Sequence, residues 1–173
     1  MKRLLIVSTW FQVIWFCAVI GNYDLQYVTL SLVTLTLIVF AVKATFSWIK
    51  YAVIVALGLA VDFTNLTIGW LQFESGHFPL WLFALWLIFA WYAYFLHPIL
   101  SQYPLILVSM VGGVGGALSY AAGESLGAVS FGVSTFTMVG ILFVEWSLLI
   151  GIIIKVYGYE SANNSSHLPH TNR

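Results

Sequence analysis

Six long runs of apolar residues make up most of the chain and constrain its fold more than any other feature. A helix needs about 20 mostly apolar residues to cross the hydrocarbon core of a bilayer. Continuous runs are typical of such helices, whereas the strands of membrane barrels alternate apolar and polar residues. The sequence therefore predicts an all-α fold, a polytopic membrane bundle of six transmembrane helices at about 4–22, 25–42, 51–73, 80–99, 104–122 and 131–154.

The composition excludes a soluble globular domain. Of the 173 residues, 61% are hydrophobic and 7% are charged, whereas an ordinary soluble domain has about 25% charged residues. Equal numbers of basic and acidic residues give a net charge of zero, which removes the electrostatic argument for a nucleic-acid partner. We expect the lipid bilayer as partner, and leave open a homo-oligomer or a partner membrane protein.

The six runs form one transmembrane domain at 1–158, followed by a polar tail at 159–173 that we expect to be disordered. With six spans, the connections on one side carry Asp24, Glu74 and Glu124 and no basic residue. The positive-inside rule then places both termini in the cytoplasm. All six basic residues fall on that cytoplasmic side: Lys2, Arg3, Lys43, Lys50, Lys155 and Arg173.

Two pairs of similar segments raise the question of an internal repeat. The first pair is 10–15 with 81–86, and the second is 61–64 with 144–147, in which an acid precedes an aromatic and a hydroxyl residue. Because each half would hold three spans, duplicated halves would be inverted relative to each other, a 3+3 inverted repeat. Coincidence is the alternative in a chain with 8 Trp and 13 Phe, and both interpretations stay open.

Two acidic residues are predicted to lie inside the bilayer, Asp62 near the middle of the third span and Glu145 in the sixth. A charged carboxylate there costs about 2.5–3.5 kcal/mol. Asn65 lies one helical turn from Asp62 and can hydrogen-bond it. The three residues predict either a substrate- or proton-binding site or a set of hydrogen bonds that only joins helices.

Glycines in the fifth span predict close packing against another helix. Gly112, Gly113 and Gly116 lie within two turns of one another, and small residues let two helix backbones approach closely in lipid. Packing is favoured over a ligand groove. A phosphate-binding loop is not indicated, because no Lys-Ser or Lys-Thr pair follows the glycines.

Three further residues are secondary candidates for a site. Glu124 and Tyr120 lie toward the outer end of the fifth span, and His97 lies at the cytoplasmic end of the fourth. No two His residues share a helix at metal-binding spacing and no Cys/His cluster occurs, so we expect neither a metal site nor a cofactor. An intramembrane enzyme that uses Asp62 or Glu145 as an acid or base stays open as a third function, but no nucleophile or metal motif supports it.

Several stretches carry a resemblance to known proteins: 62–69, 78–86, 112–128 and 144–146. They resemble a family of small bacterial inner-membrane proteins classed as a domain of unknown function, over most of 5–155. That family often has a proline where this chain has Ala117. Its members often lie beside genes for fatty-acyl-modifying methyltransferases. The resemblance thus implies the bacterial inner membrane and an accessory role in lipid or envelope metabolism.

A second function stays open on the residues themselves. Six spans, two acids within the bilayer and an inverted repeat would suit a small proton-coupled transporter or channel that acts as an oligomer.

Overall fold

The fold is all-α, with six helices and one short antiparallel ribbon, in a computed structural model that describes residues 2–43 and 46–165. Each ribbon strand is two residues long, β1 (Leu71–Gln72) and β2 (Ser130–Phe131). The helices are α1 (Lys2–Gly21), α2 (Gln26–Lys43), α3 (Trp48–Thr67), α4 (Leu80–Leu100), α5 (Leu105–Ser125) and α6 (Thr135–Ser165).

Five of the helices are long and apolar enough to cross a membrane by length and composition: α1, α3, α4, α5 and α6 as far as Gly158. The chain is therefore a polytopic membrane protein, as the sequence predicted. Helix α2 is shorter, with an apolar stretch at Gln26–Ala41. That α2 is the sixth transmembrane helix stays a prediction.

Two predicted span boundaries were wrong for the same reason. The third span was predicted to reach 73, but α3 ends at Thr67 because Gly69 adopts a φ of +80°, which only glycine enters readily. The sixth was predicted to begin at 131, but that residue belongs to β2 and α6 begins at Thr135. Leu71 and Phe131 are apolar because the ribbon packs on the core, so hydropathy does not separate them from a helix.

The C-terminal end of α6 also differs from the sequence prediction. The polar tail was predicted to start at 159, whereas α6 runs to Ser165. No proline interrupts 159–165, so the backbone hydrogen bonds of the helix can continue through polar residues. The rest of the predicted tail, 166–173, lies outside the described residues.

Helix α4 forms the centre of the bundle. It packs against α1, α2, α3 and α6, and its Trp81, Trp86 and Trp91 side chains are all buried. A helix that is apolar on every face is expected to be surrounded in this way. Helix α1, its counterpart in an inverted repeat, packs mainly on α2 and α4. Helix packing in the described residues thus provides no support for the repeat, which stays a prediction.

Three connections meet at one end of the bundle, which we call the ribbon end. The ribbon joins the α3–α4 and α5–α6 connections. The Tyr23 hydroxyl lies 2.9 Å from the Ser75 hydroxyl, which brings in the α1–α2 connection. Successive helices therefore alternate in direction. The opposite end, here the basic end, carries Arg3, whose guanidinium lies 4.7 Å from the centroid of the Phe95 ring.

Candidate functional site

Asp62 is the centre of the candidate site. It lies on α3 and is 1% exposed. The indole N–H of Trp86 on α4 donates to Asp62 Oδ2 at 2.6 Å. The Tyr120 hydroxyl on α5 donates to the same carboxyl group, 2.6 Å from Oδ1 and 2.5 Å from Oδ2. One carboxyl group thus joins three helices inside the bundle.

The three residues form one layer near the ribbon end. Asp62 lies five residues before the end of α3, Trp86 six residues after the start of α4, and Tyr120 five residues before the end of α5. At 1.5 Å of rise per residue, each is about 8 Å below its helix end. The sequence placed Asp62 near the middle of its helix, which was wrong because α3 stops at Thr67.

Asn65 and Glu145 form a second polar contact one turn along α3. Asn65 is buried, and its Nδ2 donates to Glu145 Oε2 on α6 at 2.9 Å. The spacing in the sequence also allowed a bond from Asn65 to Asp62. A residue three positions on is rotated about 60° around the helix, so Asn65 faces α6 while Asp62 faces α4 and α5.

Two stacked indoles hold the donor of Asp62 in place. Trp86 stacks on Trp146 of α6, with ring centroids 5.3 Å apart and an interplanar angle of 11°. A Cβ at Gly58 would overlap the Trp86 ring, and one at Gly116 would overlap the Trp146 ring. The absence of side chains at these two glycines therefore makes room for the pair and allows Trp86 to reach Asp62.

The three predicted packing glycines all face α6. A Cβ at Gly112 would come within 2.7 Å of Ile150, and one at Gly113 would overlap the Ser147 hydroxyl, while Gly116 faces Trp146. Gly115 differs, because a Cβ there would have nothing within 4 Å. Helix α5 thus has one glycine face that packs on α6 and one glycine that faces open space.

Gly115 lines a groove between α1 and α5 whose floor is formed by α4 and α6. This lateral groove has a volume of about 590 Å³ and is almost entirely apolar. Its lining follows α5 from Leu107 to Ser119, which corresponds to about 18 Å along the helix. Other lining residues include Phe11, Tyr92, Leu96, Val111 and Ile150.

The lateral groove leads to the donors of Asp62. At its end near the ribbon it adjoins a pocket of about 50 Å³ that includes Trp15, Trp86, Ser119 and Tyr120 in its lining. Ser119 lines both spaces, and its hydroxyl accepts the Trp15 indole N–H at 2.8 Å. Asp62 lies behind Trp86 and Tyr120, one side chain away from the pocket.

The remaining candidates lie apart from this layer. Glu124 is at the ribbon end, where its Oε2 accepts a hydrogen bond from the Thr135 hydroxyl at 3.1 Å. His97 is buried near the basic end of α4, with its ring centroid 6.0 Å from that of Tyr157. Tyr120 is thus the one secondary candidate that contacts Asp62 in the described part of the chain.

Trp86 is the site residue that the sequence analysis missed. It was noted as the last residue of segment 81–86, but nothing distinguishes it in sequence from the other seven Trp residues. The nearby Gly58 could have indicated a close approach to α3, although it does not identify the side chain that approaches.

The described residues contain no group of three or more His, Cys, Asp or Glu side chains that could hold a metal ion. Comparison with known proteins gives a family match. Residues 4–152 match the family described as "Protein of unknown function (DUF2878)". No curated protein sequence and no solved structure matches the chain.

Proposed function

Because the chain belongs to the DUF2878 family of proteins of unknown function, we propose its function from the site itself. It is an integral protein of the bacterial inner membrane, accessory to lipid or envelope metabolism, that holds a lipid chain beside Asp62. The observation that carries the proposal is that the lateral groove adjoins a pocket lined by the Trp86 and Tyr120 side chains, which are bonded to Asp62.

Physical chemistry favours hydrocarbon as the occupant of the lateral groove. Its lining is apolar, so water within it would find few hydrogen-bond partners. Its volume of about 590 Å³ lies in the range of small-molecule sites, about 300–1,000 Å³. Its length of about 18 Å covers more than half of the roughly 30 Å hydrocarbon core. One extended lipid chain matches these dimensions.

The end of the groove offers complementary hydrogen-bonding groups for the polar part of a lipid. Tyr120 donates its proton to Asp62, so the lone pairs of its oxygen remain as acceptors. The Ser119 hydroxyl accepts from Trp15 and retains its own proton to donate. Asp62 thus acts through Tyr120, by fixing which way the hydroxyl proton points.

A bulky side chain at Gly115 tests whether the lateral groove holds lipid. Gly115→Leu places its side chain in the groove, while Gly140→Leu adds the same side chain on the exposed surface of α6. A Cβ would have nothing within 4 Å at either position. We expect Gly115→Leu to lose most of the lipid that co-purifies with the wild type, counted by native mass spectrometry, and Gly140→Leu to keep it. Equal lipid retention in the two variants would contradict the proposal.

A proton-coupled transporter or channel, acting as an oligomer, is the second candidate. The observation that favours it is a pair of polar contacts one turn apart on α3, Tyr120 with Asp62 and Asn65 with Glu145, which together involve three helices. Asp62→Asn and Glu145→Gln separate the two functions. Loss of proton flux in vesicles, with unchanged acyl composition of the membrane, would support transport. Altered acyl composition with unchanged proton flux would support the lipid role.

A further inference from the structure

A second cavity lies across α1 from the lateral groove, in a crevice between α1, α2 and α4. Its volume is about 390 Å³, and it opens to the surface of the bundle. Arg3, Trp10, Thr36 and Trp91 are among its lining residues. The crevice therefore combines an apolar interior with a guanidinium group from the first turn of α1.

Arg3 is held at a defined depth in this crevice. Its guanidinium lies 4.7 Å from the centroid of the Phe95 ring, a cation–π contact. Phe95 and Trp91 are one turn apart on α4, with ring centroids 5.1 Å apart. Because four residues of helix rise about 6 Å, the positive charge lies about one turn nearer the basic end than Trp91.

Trp91 carries a hydrogen-bond donor that the described residues do not satisfy. The residue is 7% exposed, and its indole N–H is buried with no acceptor in the part of the chain that the structure describes. Trp10, the other tryptophan of the crevice, donates to the Thr36 hydroxyl at 3.0 Å. Because the indole nitrogen itself is buried, an occupant of the crevice contacts the apolar ring of Trp91 and not its N–H.

We propose that the crevice binds one anionic phospholipid from the leaflet at the basic end. The phosphate pairs with Arg3, and one acyl chain lies between α1 and α2 against the Trp91 ring. A bare hydrocarbon chain has no group for Arg3. Inorganic phosphate has no apolar part for the crevice. The proposal does not depend on the lateral groove, which is a separate cavity.

Two charge-matched variants test the headgroup contact. Arg3→Gln removes the charge in the crevice, and Lys2→Gln removes the same charge from the adjacent residue, which does not line the crevice. The purified proteins are exchanged into equimolar phosphatidylglycerol and phosphatidylcholine, and bound lipids are counted by native mass spectrometry. We expect Arg3→Gln to lower the preference for phosphatidylglycerol about fivefold, and Lys2→Gln to change it less than about twofold, as for one surface charge. An equal loss in both variants would overturn the proposal.

Val39→Trp tests the acyl-chain contact and serves as the second variant if Arg3→Gln does not fold. Val39 lines the crevice, and Val28 is equally exposed on the same helix without lining it. We expect fewer bound phosphatidylglycerol molecules in Val39→Trp, because the larger side chain fills part of the crevice, and an unchanged number in Val28→Trp. Free glycerol phosphate is expected not to displace the lipid. Unchanged binding in Val39→Trp, or displacement by glycerol phosphate, would contradict the proposed binding mode.

Discussion

Asp62 and its two donors satisfy one another's polar groups inside the membrane. An unpaired polar group in hydrocarbon costs several kcal/mol, and this applies to the Trp86 N–H and the Tyr120 O–H as well as to the acid. Because each donor comes from a different helix, the contact also fixes the positions of α4 and α5 relative to α3. The contact therefore has a structural role, beside the function proposed for this residue.

Tyr120→Phe tests the strength of the Asp62 contact. The variant removes one donor to a buried carboxyl group, and we expect the free energy of unfolding to fall by about 1–2 kcal/mol. Chemical unfolding in detergent, followed by tryptophan fluorescence, measures the change. Tyr27→Phe is the matched control, because Tyr27 is 69% exposed. A loss no larger than that of the control would show that the Tyr120 bond contributes little to stability.

At the scale of elements, α5 and α6 form a closely packed hairpin. The glycine face of α5 lets Ile150, Ser147 and Trp146 of α6 approach its backbone. The same contact sets the position of Trp146, on which Trp86 stacks. Packing between these two helices therefore reaches the acid site through the paired indoles.

Gly116→Ala and Gly115→Ala test this packing on adjacent residues of one helix. A Cβ at Gly116 would overlap the Trp146 ring, whereas one at Gly115 would have nothing within 4 Å. We expect Gly116→Ala to lower the free energy of unfolding by about 1–3 kcal/mol, the usual cost of overpacking. Gly115→Ala should leave it almost unchanged. Near-ultraviolet circular dichroism should show a changed tryptophan signal, relative to the wild type, in Gly116→Ala alone. Identical spectra for the two variants would contradict the packing argument.

The sequence predicts the helices better than it predicts their ends or their contacts. Long apolar runs identify every helix, because crossing a bilayer demands both length and hydropathy. The ribbon was missed because a buried ribbon residue such as Leu71 is as apolar as a helix residue. Asp62 and Tyr120 were each singled out, but they are 58 positions apart. Their pairing depends on how helices pack, which periodicity within one helix does not reveal.

At the scale of the whole molecule, charge separates the two ends of the bundle. Asp24, Glu74 and Glu124 belong to the ribbon end, while Arg3 and Lys50 belong to the basic end. The positive-inside rule predicts that the basic end is cytoplasmic. The orientation follows from this rule and from the alternating direction of the helices.

Cysteine labelling tests this orientation. In a Cys17→Ser background, Glu74→Cys places a thiol at the exposed ribbon end and Ser101→Cys places one at the exposed basic end. We expect a membrane-impermeant maleimide to label Glu74→Cys in intact spheroplasts, and Ser101→Cys only after lysis, because the connections lie on opposite sides. The reverse labelling pattern would show that the orientation is the opposite one. Labelling of both cysteines in intact spheroplasts would contradict a transmembrane α4.

The side-chain contacts of the α5–α6 hairpin have a consequence for biosynthesis. Trp15–Ser119, Tyr120–Asp62 and Asn65–Glu145 each join a residue of the first four helices to a residue of this hairpin. The hairpin follows these helices in the sequence and leaves the ribosome after them, so during synthesis Asp62 first has only Trp86 as a donor and Asn65 still lacks Glu145. A nascent chain that is arrested after α4 thus has unsatisfied polar groups in the bilayer. A membrane protease can recognise these groups and so distinguish the arrested chain from the finished protein.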